Sequence, residues 1–277
     1  MSAPVLCAVD LTPLAECTVR FAGVFARLMD APVMLFHARE RGDAADAPAR
    51  LAALAEGLAG TGLSVHAESA EGDPADSIVR RAAALDASAI VVGTHGGRGL
   101  ERIMLGSVAE HVLHRAGRPV ATLRGSWHAE GPIRKIVCGA DLEDPAPLRY
   151  AAALARRSSA EVVVVHAVKD LPEEGRHSLV PASYGPALLE EAHRSVGRMV
   201  DSLDVSPGRL STRVVPGSPS RALVRVAEEE SADLLVVGVH RHVLGGTTHP
   251  IVRGAHCPVL TVPPGGVFGK EIGRENA

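Results

Sequence analysis

Short apolar runs alternate with longer amphipathic segments along almost the whole chain. Runs of four to six residues, such as 5–10 and 33–38, have the length and composition of buried strands. Segments such as 14–29 carry apolar residues at helical spacing. The predicted strands of the first half are 5–10, 33–38, 63–69, 89–92 and 119–123, and the predicted helices are 14–29, 49–59, 74–85 and 107–116. This alternation predicts an α/β fold, with a parallel sheet covered by helices on both faces.

The second half of the chain repeats the landmarks of the first half in the same order. The matched runs are 6–10 with 136–141, 34–38 with 163–167, 71–74 with 216–219, 89–93 with 234–238 and 118–122 with 257–261. Cys138 takes the place of Cys7, Asp141 that of Asp10, and His166 that of His37. Five landmarks in a shared order indicate an internal duplication. We therefore predict two domains, 1–126 and 132–264, joined by a short glycine-containing linker and followed by a flexible tail at 265–277.

Composition excludes several classes of partner. Hydrophobic residues make up 46% of the chain but aromatic residues only 3%, so the core must consist mainly of Ala, Val, Leu and Ile. A net charge of −3 argues against nucleic acid as the main partner, because phosphate backbones require a basic surface. We find no signal-peptide pattern and no apolar run near the ~20 residues of a membrane span. The expectation is a cytoplasmic protein with no membrane partner.

Cysteine and histidine offer further candidate chemistry. None of the four cysteines forms a CxxC motif, and Cys7 and Cys138 lie inside apolar runs, so we expect both to be buried. His37 and His166 end equivalent predicted strands, and we expect structural hydrogen bonds from them. Four further histidines gather late in the chain, where solvated loop positions compete with a zinc site: His240, His242, His249 and His256.

A glycine-rich stretch follows the fourth predicted strand. Gly93 and Gly96 are followed by Gly106 and Ser107, which gives the spacing Gly-x2-Gly-x9-Gly-Ser before a helix. Glycine lets the backbone approach a ligand closely, and the start of a helix attracts phosphate. Ser107 is the expected N-cap, and its hydroxyl is placed either to cap the helix or to reach a phosphate oxygen. The stretch is not a P-loop, because no lysine precedes Ser107.

Together these landmarks resemble the universal stress protein family in its tandem two-domain form, over residues 3–263. The spacing from Gly93 to Ser107 is similar to the ATP-binding signature of the nucleotide-binding branch of that family. The resemblance implies two Rossmann-like domains, each an open five-stranded parallel sheet in the order 3-2-1-4-5. That order places the ends of strands one and four side by side, where open α/β sheets bind ligands.

The resemblance also implies a set of residues that bind ATP in the first domain, with Mg²⁺ allowed as a companion ion. The set runs from the adenine and ribose side to the phosphates: Ala8, Asp10, Ala38, Val92, Gly93, Gly96, Gly106, Ser107 and Val108. A carboxylate at Asp10 can accept from an adenine amino group or a ribose hydroxyl, or it can cap the following helix. Arg98 and Arg102 are either phosphate partners or exposed loop arginines.

The second copy departs from this pattern. Arg241 stands in the place of Gly96, the following loop is shorter by about six residues, and Gly246 replaces Ser107. We predict that this half does not bind ATP in the same way. Asp141 is then a relic of the duplication or a helix cap.

The leading hypothesis is an ATP-binding stress-response protein in which nucleotide shifts a conformational or association equilibrium. No nucleophile has an evident His/Asp partner and no carboxylate pair is apparent, so the sequence does not predict an enzyme, although slow ATP hydrolysis stays open. The alternatives are a nucleotide-hydrolysing or adenylate-forming enzyme and a ligand-free interaction module. We expect the two domains to pair within the chain through their edge strands, and the chain to be capable of forming a homodimer.

Overall fold

The computed structural model describes residues 2–39, 46–94, 105–124, 127, 131–169, 185–203, 209–239 and 247–265. Backbone contacts divide the chain between residues 132 and 133 into two compact units. Each unit has the α/β architecture predicted from the alternating pattern, with a parallel sheet and helices on both of its faces.

The first unit contains five strands and four helices among its described residues. They are β1 (Val5–Ala8), α1 (Ala15–Met29), β2 (Val33–Arg39), α2 (Ala47–Ala59), β3 (Val65–Glu71), α3 (Pro74–Ala84), β4 (Ala89–Gly93), α4 (Ser107–Arg115) and β5 (Val120–Leu123). The strands lie in the order β3-β2-β1-β4-β5, and every pairing between them is parallel. The predicted order 3-2-1-4-5 is therefore confirmed.

The second unit repeats this topology. Its elements are β6 (Lys135–Gly139), α5 (Ala146–Arg157), β7 (Glu161–Val168), α6 (Gly185–Asp201), β8 (Leu210–Pro216), α7 (Pro219–Glu229), β9 (Leu234–Gly238), α8 (Thr248–Gly254) and β10 (Val259–Val262). The strand order is β8-β7-β6-β9-β10, again with parallel neighbours. The duplication seen in the sequence is thus a duplication of the fold.

The central strands form the floor of each core. All four residues of β1 and the three inner residues of β6 are buried, since helices cover both faces of a parallel sheet. The few aromatic residues are concentrated here: the Phe21 ring stacks on Phe25 at 5.8 Å and meets Trp127 edge-on at 5.2 Å. Tyr150 is fully buried on α5. A core built mainly of small aliphatic side chains therefore still uses its rare aromatics as fillers.

In the first unit most element boundaries lie within one residue of the predictions, but those of β1, α2 and β3 differ by two residues. Strand β1 ends at Ala8 instead of residue 10. Helix α2 begins at Ala47 instead of residue 49, because Pro48 fits the first helical turn, where its missing N–H is not needed. Strand β3 runs two residues later than the predicted 63–69, since it stays paired with β2 as far as Arg39 opposite Glu71. An edge strand with a polar sequence gives a weak alternation pattern, so its ends are set by pairing.

The cysteines behave as small buried side chains. Cys7 and Cys138 are fully buried, as expected, and burial raises the pKa of both thiols far above the ordinary range. Burial likewise raises the pKa of Cys257 to about 12, whereas Cys17 is half-buried. All four thiols are free of disulfides. A protonated thiol is a poor nucleophile, so the three buried cysteines are structural.

Of the helices that the structure describes, none is both long enough and apolar enough to cross a bilayer.

Candidate functional site

A crevice of about 270 Å³ opens at the carboxyl ends of β1, β2 and β4 in the first unit. Since β1 and β4 are neighbours whose following helices lie on different faces, this is the switch point of the sheet. Six elements contribute to its walls. The lining residues are Ala8, Val9, Asp10, Leu14, Thr18, Phe36, His37, Ala38, Pro74, Ile78, Val92, Gly93, Thr94, Gly106, Ser107, Val108 and Ala109.

Asp10 holds the turn that leads out of β1. Its Oδ1 accepts hydrogen bonds from the Thr12 N–H at 3.0 Å and from the Thr12 hydroxyl at 2.8 Å. Helix α1 begins after Leu14 without a side-chain cap, so of the two roles considered for Asp10 the structure does not support the helix cap. Within the described part of the chain, Oδ2 of Asp10 accepts no hydrogen bond. The carboxylate thus stabilises the turn with one oxygen and offers the other to the crevice.

The histidine at the end of β2 is tied to β1. His37 is buried, and its Nδ1 lies 2.8 Å from the carbonyl oxygen of Val9. A carbonyl only accepts, so Nδ1 carries the hydrogen. In the second unit, Nδ1 of His166 lies 3.0 Å from the carbonyl oxygen of Ala140. The structural hydrogen bonds predicted for both histidines are present.

The end of β4 and the start of α4 are held together by backbone hydrogen bonds. The Gly106 N–H donates to the Thr94 carbonyl at 2.9 Å, and the Thr94 N–H donates to the Leu123 carbonyl at 2.9 Å. A Cβ on Gly106 would lie 3.1 Å from the same Thr94 oxygen, so glycine permits this close approach. Gly106 is the N-cap and Ser107 is the first helical residue. The prediction of Ser107 as N-cap is wrong by one position, because Gly106 already supplies the capping carbonyl.

Helix α4 presents a group of backbone donors to the crevice. Its first internal hydrogen bond runs from the Glu110 N–H to the Gly106 carbonyl at 2.9 Å. The N–H groups of Ser107, Val108 and Ala109 precede that bond, and no described residue accepts from them. Together with the Ser107 hydroxyl they form what we call the α4 donor group. Unpaired amides and the positive end of the helix dipole are features that attract anions in proteins.

The start of α3 shows the contrast. There the side chain of Asp73 caps the helix by accepting from the Asp76 N–H at 2.9 Å. A carboxylate already occupies that helix terminus, whereas the α4 donor group has no such cap.

Part of the crevice wall is apolar. Phe36, in the middle of β2, is 2% exposed, and Ile78 and Pro74 of α3 also belong to the lining. Leu14 lies at the mouth and is 39% exposed, which is unusual for a large apolar side chain in this protein. The crevice therefore combines an apolar wall with the α4 donor group, and Asp10 follows β1, the strand between β2 and β4.

Eight of the nine sequence-predicted site residues line this one crevice: Ala8, Asp10, Ala38, Val92, Gly93, Gly106, Ser107 and Val108. The ninth, Gly96, lies outside the described residues, as do Arg98 and Arg102. For all of these residues, the role of ligand contact stays a prediction. Sequence reasoning missed Thr18, Phe36 and Ile78, which are spaced apolar or small residues that look like ordinary core positions.

The second unit has a crevice of about 230 Å³ at the equivalent place. It keeps an acidic turn, in which Oδ1 of Asp141 accepts from the Glu143 N–H at 3.0 Å. Helix α8 has Pro250 in its first turn, and proline has no N–H to donate. Its starting threonine, Thr248, turns its hydroxyl to the Gly238 carbonyl at 3.4 Å. The anion-attracting wall of the first crevice is thus poorer in donors here.

Four residues invoked for the second half lie outside the described part of the chain: His240, Arg241, His242 and Gly246. The predicted choice between solvated histidines and a zinc site stays open at those positions. Of the other two histidines of that group, His256 is exposed and His249 is half-buried.

A family model described as "Universal stress protein family" matches residues 1–124 and 132–263, one match in each half of the chain. The chain belongs to the universal stress protein family. The tandem form also has a full-length relative: a universal stress protein of Mycolicibacterium smegmatis is 27% identical, and the alignment covers 94% of this chain and 97% of the relative.

Two further members of the universal stress protein family are similar to this chain. Universal stress protein MJ0531 of Methanocaldococcus jannaschii is 49% identical over 49% of this chain and 85% of its own length. The solved structure of a universal stress protein from Archaeoglobus fulgidus superposes with a TM-score of 0.66, covering 94% of this chain and 98% of that one. Its 19% identity supports the shared fold.

Proposed function

We propose that the first domain of this universal stress protein binds an adenine nucleotide, with ATP as the first candidate, and that occupancy regulates the protein in stress response. The observation that carries the proposal is the α4 donor group. Three amides and a hydroxyl line a crevice at the switch point of the sheet and have no acceptor among the described residues.

The polarity of the crevice orients the ligand. Phosphate oxygens suit the α4 donor group and would be repelled by the Asp10 carboxylate. A neutral sugar or amino group is the better neighbour for Asp10, because each can donate to Oδ2. The planar base then lies on the apolar wall formed by Phe36, Ile78 and Pro74. An anionic tail, a hydroxyl-bearing middle and a flat apolar end are the features of a nucleotide.

The lining favours binding over rapid turnover. Asp10 is the one carboxylate among the described lining residues, and its Oδ1 is already engaged by Thr12. A Mg²⁺ accompanying ATP would be held mainly by phosphate oxygens, with Asp10 as the available protein ligand. We infer that nucleotide acts by shifting a conformational or association equilibrium.

Calorimetric titration of ATP into wild type, Gly106→Val and Thr248→Val tests the proposal. Gly106→Val crowds the base of the α4 donor group, and we expect its Kd to rise about tenfold to a hundredfold, which corresponds to the loss of one charge-assisted hydrogen bond. Thr248→Val alters the first turn of α8 at the second crevice and should leave the Kd unchanged.

Circular dichroism of each variant reports whether the fold is kept. Equal ATP affinity in wild type and in folded Gly106→Val would show that the α4 donor group does not bind the nucleotide. Mass spectrometry of small molecules released from freshly purified, denatured protein identifies which nucleotide is carried.

A further inference from the structure

At the wall of the crevice, the hydroxyl of Thr18 has no hydrogen-bond partner among the residues that the structure describes. Thr18 lies on α1, about one turn after the N-cap, lines the crevice and is 6% exposed. A helical threonine commonly bonds the carbonyl four residues earlier. No described residue supplies a partner to the Thr18 hydroxyl, neither in its own helix nor across the crevice.

The residue opposite Thr18 leaves this hydroxyl uncovered. A Cβ built on Gly93 would lie 3.2 Å from Oγ1 of Thr18, and no other described atom would lie within 4 Å of that Cβ. Glycine at the end of β4 therefore leaves room in front of the hydroxyl. In the second unit the corresponding Cβ on Gly238 would lie 3.1 Å from Cγ of Pro147, which has no hydroxyl.

The hydroxyl of Thr94, another threonine in the crevice lining, has a structural hydrogen bond and serves for comparison. Thr94 also lines the crevice and is buried, and its hydroxyl donates to the Leu123 carbonyl at 3.2 Å. Oγ1 of Thr18, in contrast, has no partner among the described residues and keeps access to the open crevice, so it is available to a group bound there.

We infer that Thr18 is a ligand-contacting residue whose hydroxyl bonds to the sugar of the nucleotide bound in the first domain. The inference rests on the proposed function. Thr18 faces Gly93 at the end of β4, and the α4 donor group follows further along the chain. With the phosphates at the α4 donor group and the base on the apolar wall, the sugar is the part of the nucleotide left for Thr18. A threonine hydroxyl both donates and accepts, which matches a sugar hydroxyl. Pro147 deprives the second crevice of this contact.

The stability of the ligand-free protein gives the first test, measured by urea unfolding. Thr18→Val has nearly the same shape and removes a hydroxyl without a protein partner, so we expect stability equal to or above that of wild type. Thr94→Val removes a bonded hydroxyl and should lower stability. A clear loss of stability in ligand-free Thr18→Val would show that the hydroxyl has a structural partner and would overturn the inference.

Binding gives the second test, with ATP, 2′-deoxy-ATP and 3′-deoxy-ATP titrated into wild type, Thr18→Val and Thr18→Ser. We expect Thr18→Val to bind ATP roughly 3- to 10-fold more weakly, the value of one neutral hydrogen bond, and Thr18→Ser to stay near wild type. The deoxy analogue that lacks the sugar hydroxyl bonded by Thr18 should bind wild type and Thr18→Val equally well, because neither complex can form that hydrogen bond.

The outcomes separate this inference from the proposed function. If wild type binds no adenine nucleotide, the proposed function fails. If wild type binds ATP and Thr18→Val binds it equally well, or if the penalty persists unchanged with both deoxy analogues, the Thr18 contact alone is refuted.

Discussion

Replacing Gly106 by alanine probes the joint between β4 and α4 with a single methyl group. The added Cβ would lie 3.1 Å from the Thr94 carbonyl oxygen, which also accepts the Gly106 N–H at 2.9 Å. The backbone of Gly106, at φ −61° and ψ 145°, suits any residue, so the cost comes from crowding alone. Relief requires the carbonyl or the first turn of α4 to move by a few tenths of an ångström.

Two magnitudes follow from this geometry. Weakening the Gly106–Thr94 hydrogen bond should lower the free energy of unfolding by about 0.5–1.5 kcal/mol. Displacing the α4 donor group as a unit should cost about one charge-assisted hydrogen bond to phosphate, or about 1.5–3 kcal/mol. ATP affinity is then expected to fall about tenfold to a hundredfold while the protein stays folded.

Calorimetric titration and urea unfolding measure the two quantities on the same samples. Gly57→Ala is the matched control: an added Cβ in α2 meets no described atom within 4 Å, and the residue is not part of the crevice lining. That control should bind as wild type does and be slightly more stable, since alanine has the higher helix propensity. Wild-type affinity in a folded Gly106→Ala protein would refute the assignment of the α4 donor group to the anion.

Three further predictions concern stability and reactivity. Gly197→Ala in α6 should raise the free energy of unfolding by about 0.5–1 kcal/mol in urea, because its Cβ would meet no described atom within 4 Å; a loss of stability would contradict this. Burial raises the folded-state pKa of Cys138, so the stability that its protonated thiol contributes is complete below the unfolded pKa of about 8.5 and falls by about 1.4 kcal/mol per pH unit above it. Cys138→Ala should therefore flatten the decline in the free energy of unfolding between about pH 9 and 11. An unchanged slope would contradict this prediction. In native protein, iodoacetamide should modify half-buried Cys17 before fully buried Cys7, which peptide mass spectrometry would show; preferential labelling of Cys7 would contradict the packing around β1.

Much of this fold follows from the sequence because the pattern is repeated and the strands are strongly apolar. The runs ending in Asp10 and Gly93 were predicted to end neighbouring strands, and both residues line the same crevice. The strand order itself came from the family resemblance, since alternation of strands and helices fixes a parallel sheet without fixing the order of its strands.

The remaining features of the site depend on packing that no local pattern encodes. Thr18 is one of many small residues on the buried face of α1, and its significance comes from the absence of a side chain at Gly93, far away in sequence. The N-cap at Gly106 was misplaced by one residue because both Gly and Ser are favoured there. The sequence left Asp10 a choice between a ligand contact and a cap on α1, and it did not show that Oδ1 would instead accept from Thr12 in the turn after β1.

The hydrogen bond between Thr94 and Gly106 brings together two points of the chain that are twelve residues apart in sequence. Because this hydrogen bond joins the two ends of the segment between Thr94 and Gly106, the length of the segment can change at small entropic cost. The amides at the start of α4 then keep their position relative to β4. The segment between Thr94 and Gly106 can thus change in length or sequence, whereas β4 and the start of α4 must keep their geometry. Variants that lengthen or shorten the segment between Thr94 and Gly106 are therefore expected to keep the geometry at the start of α4.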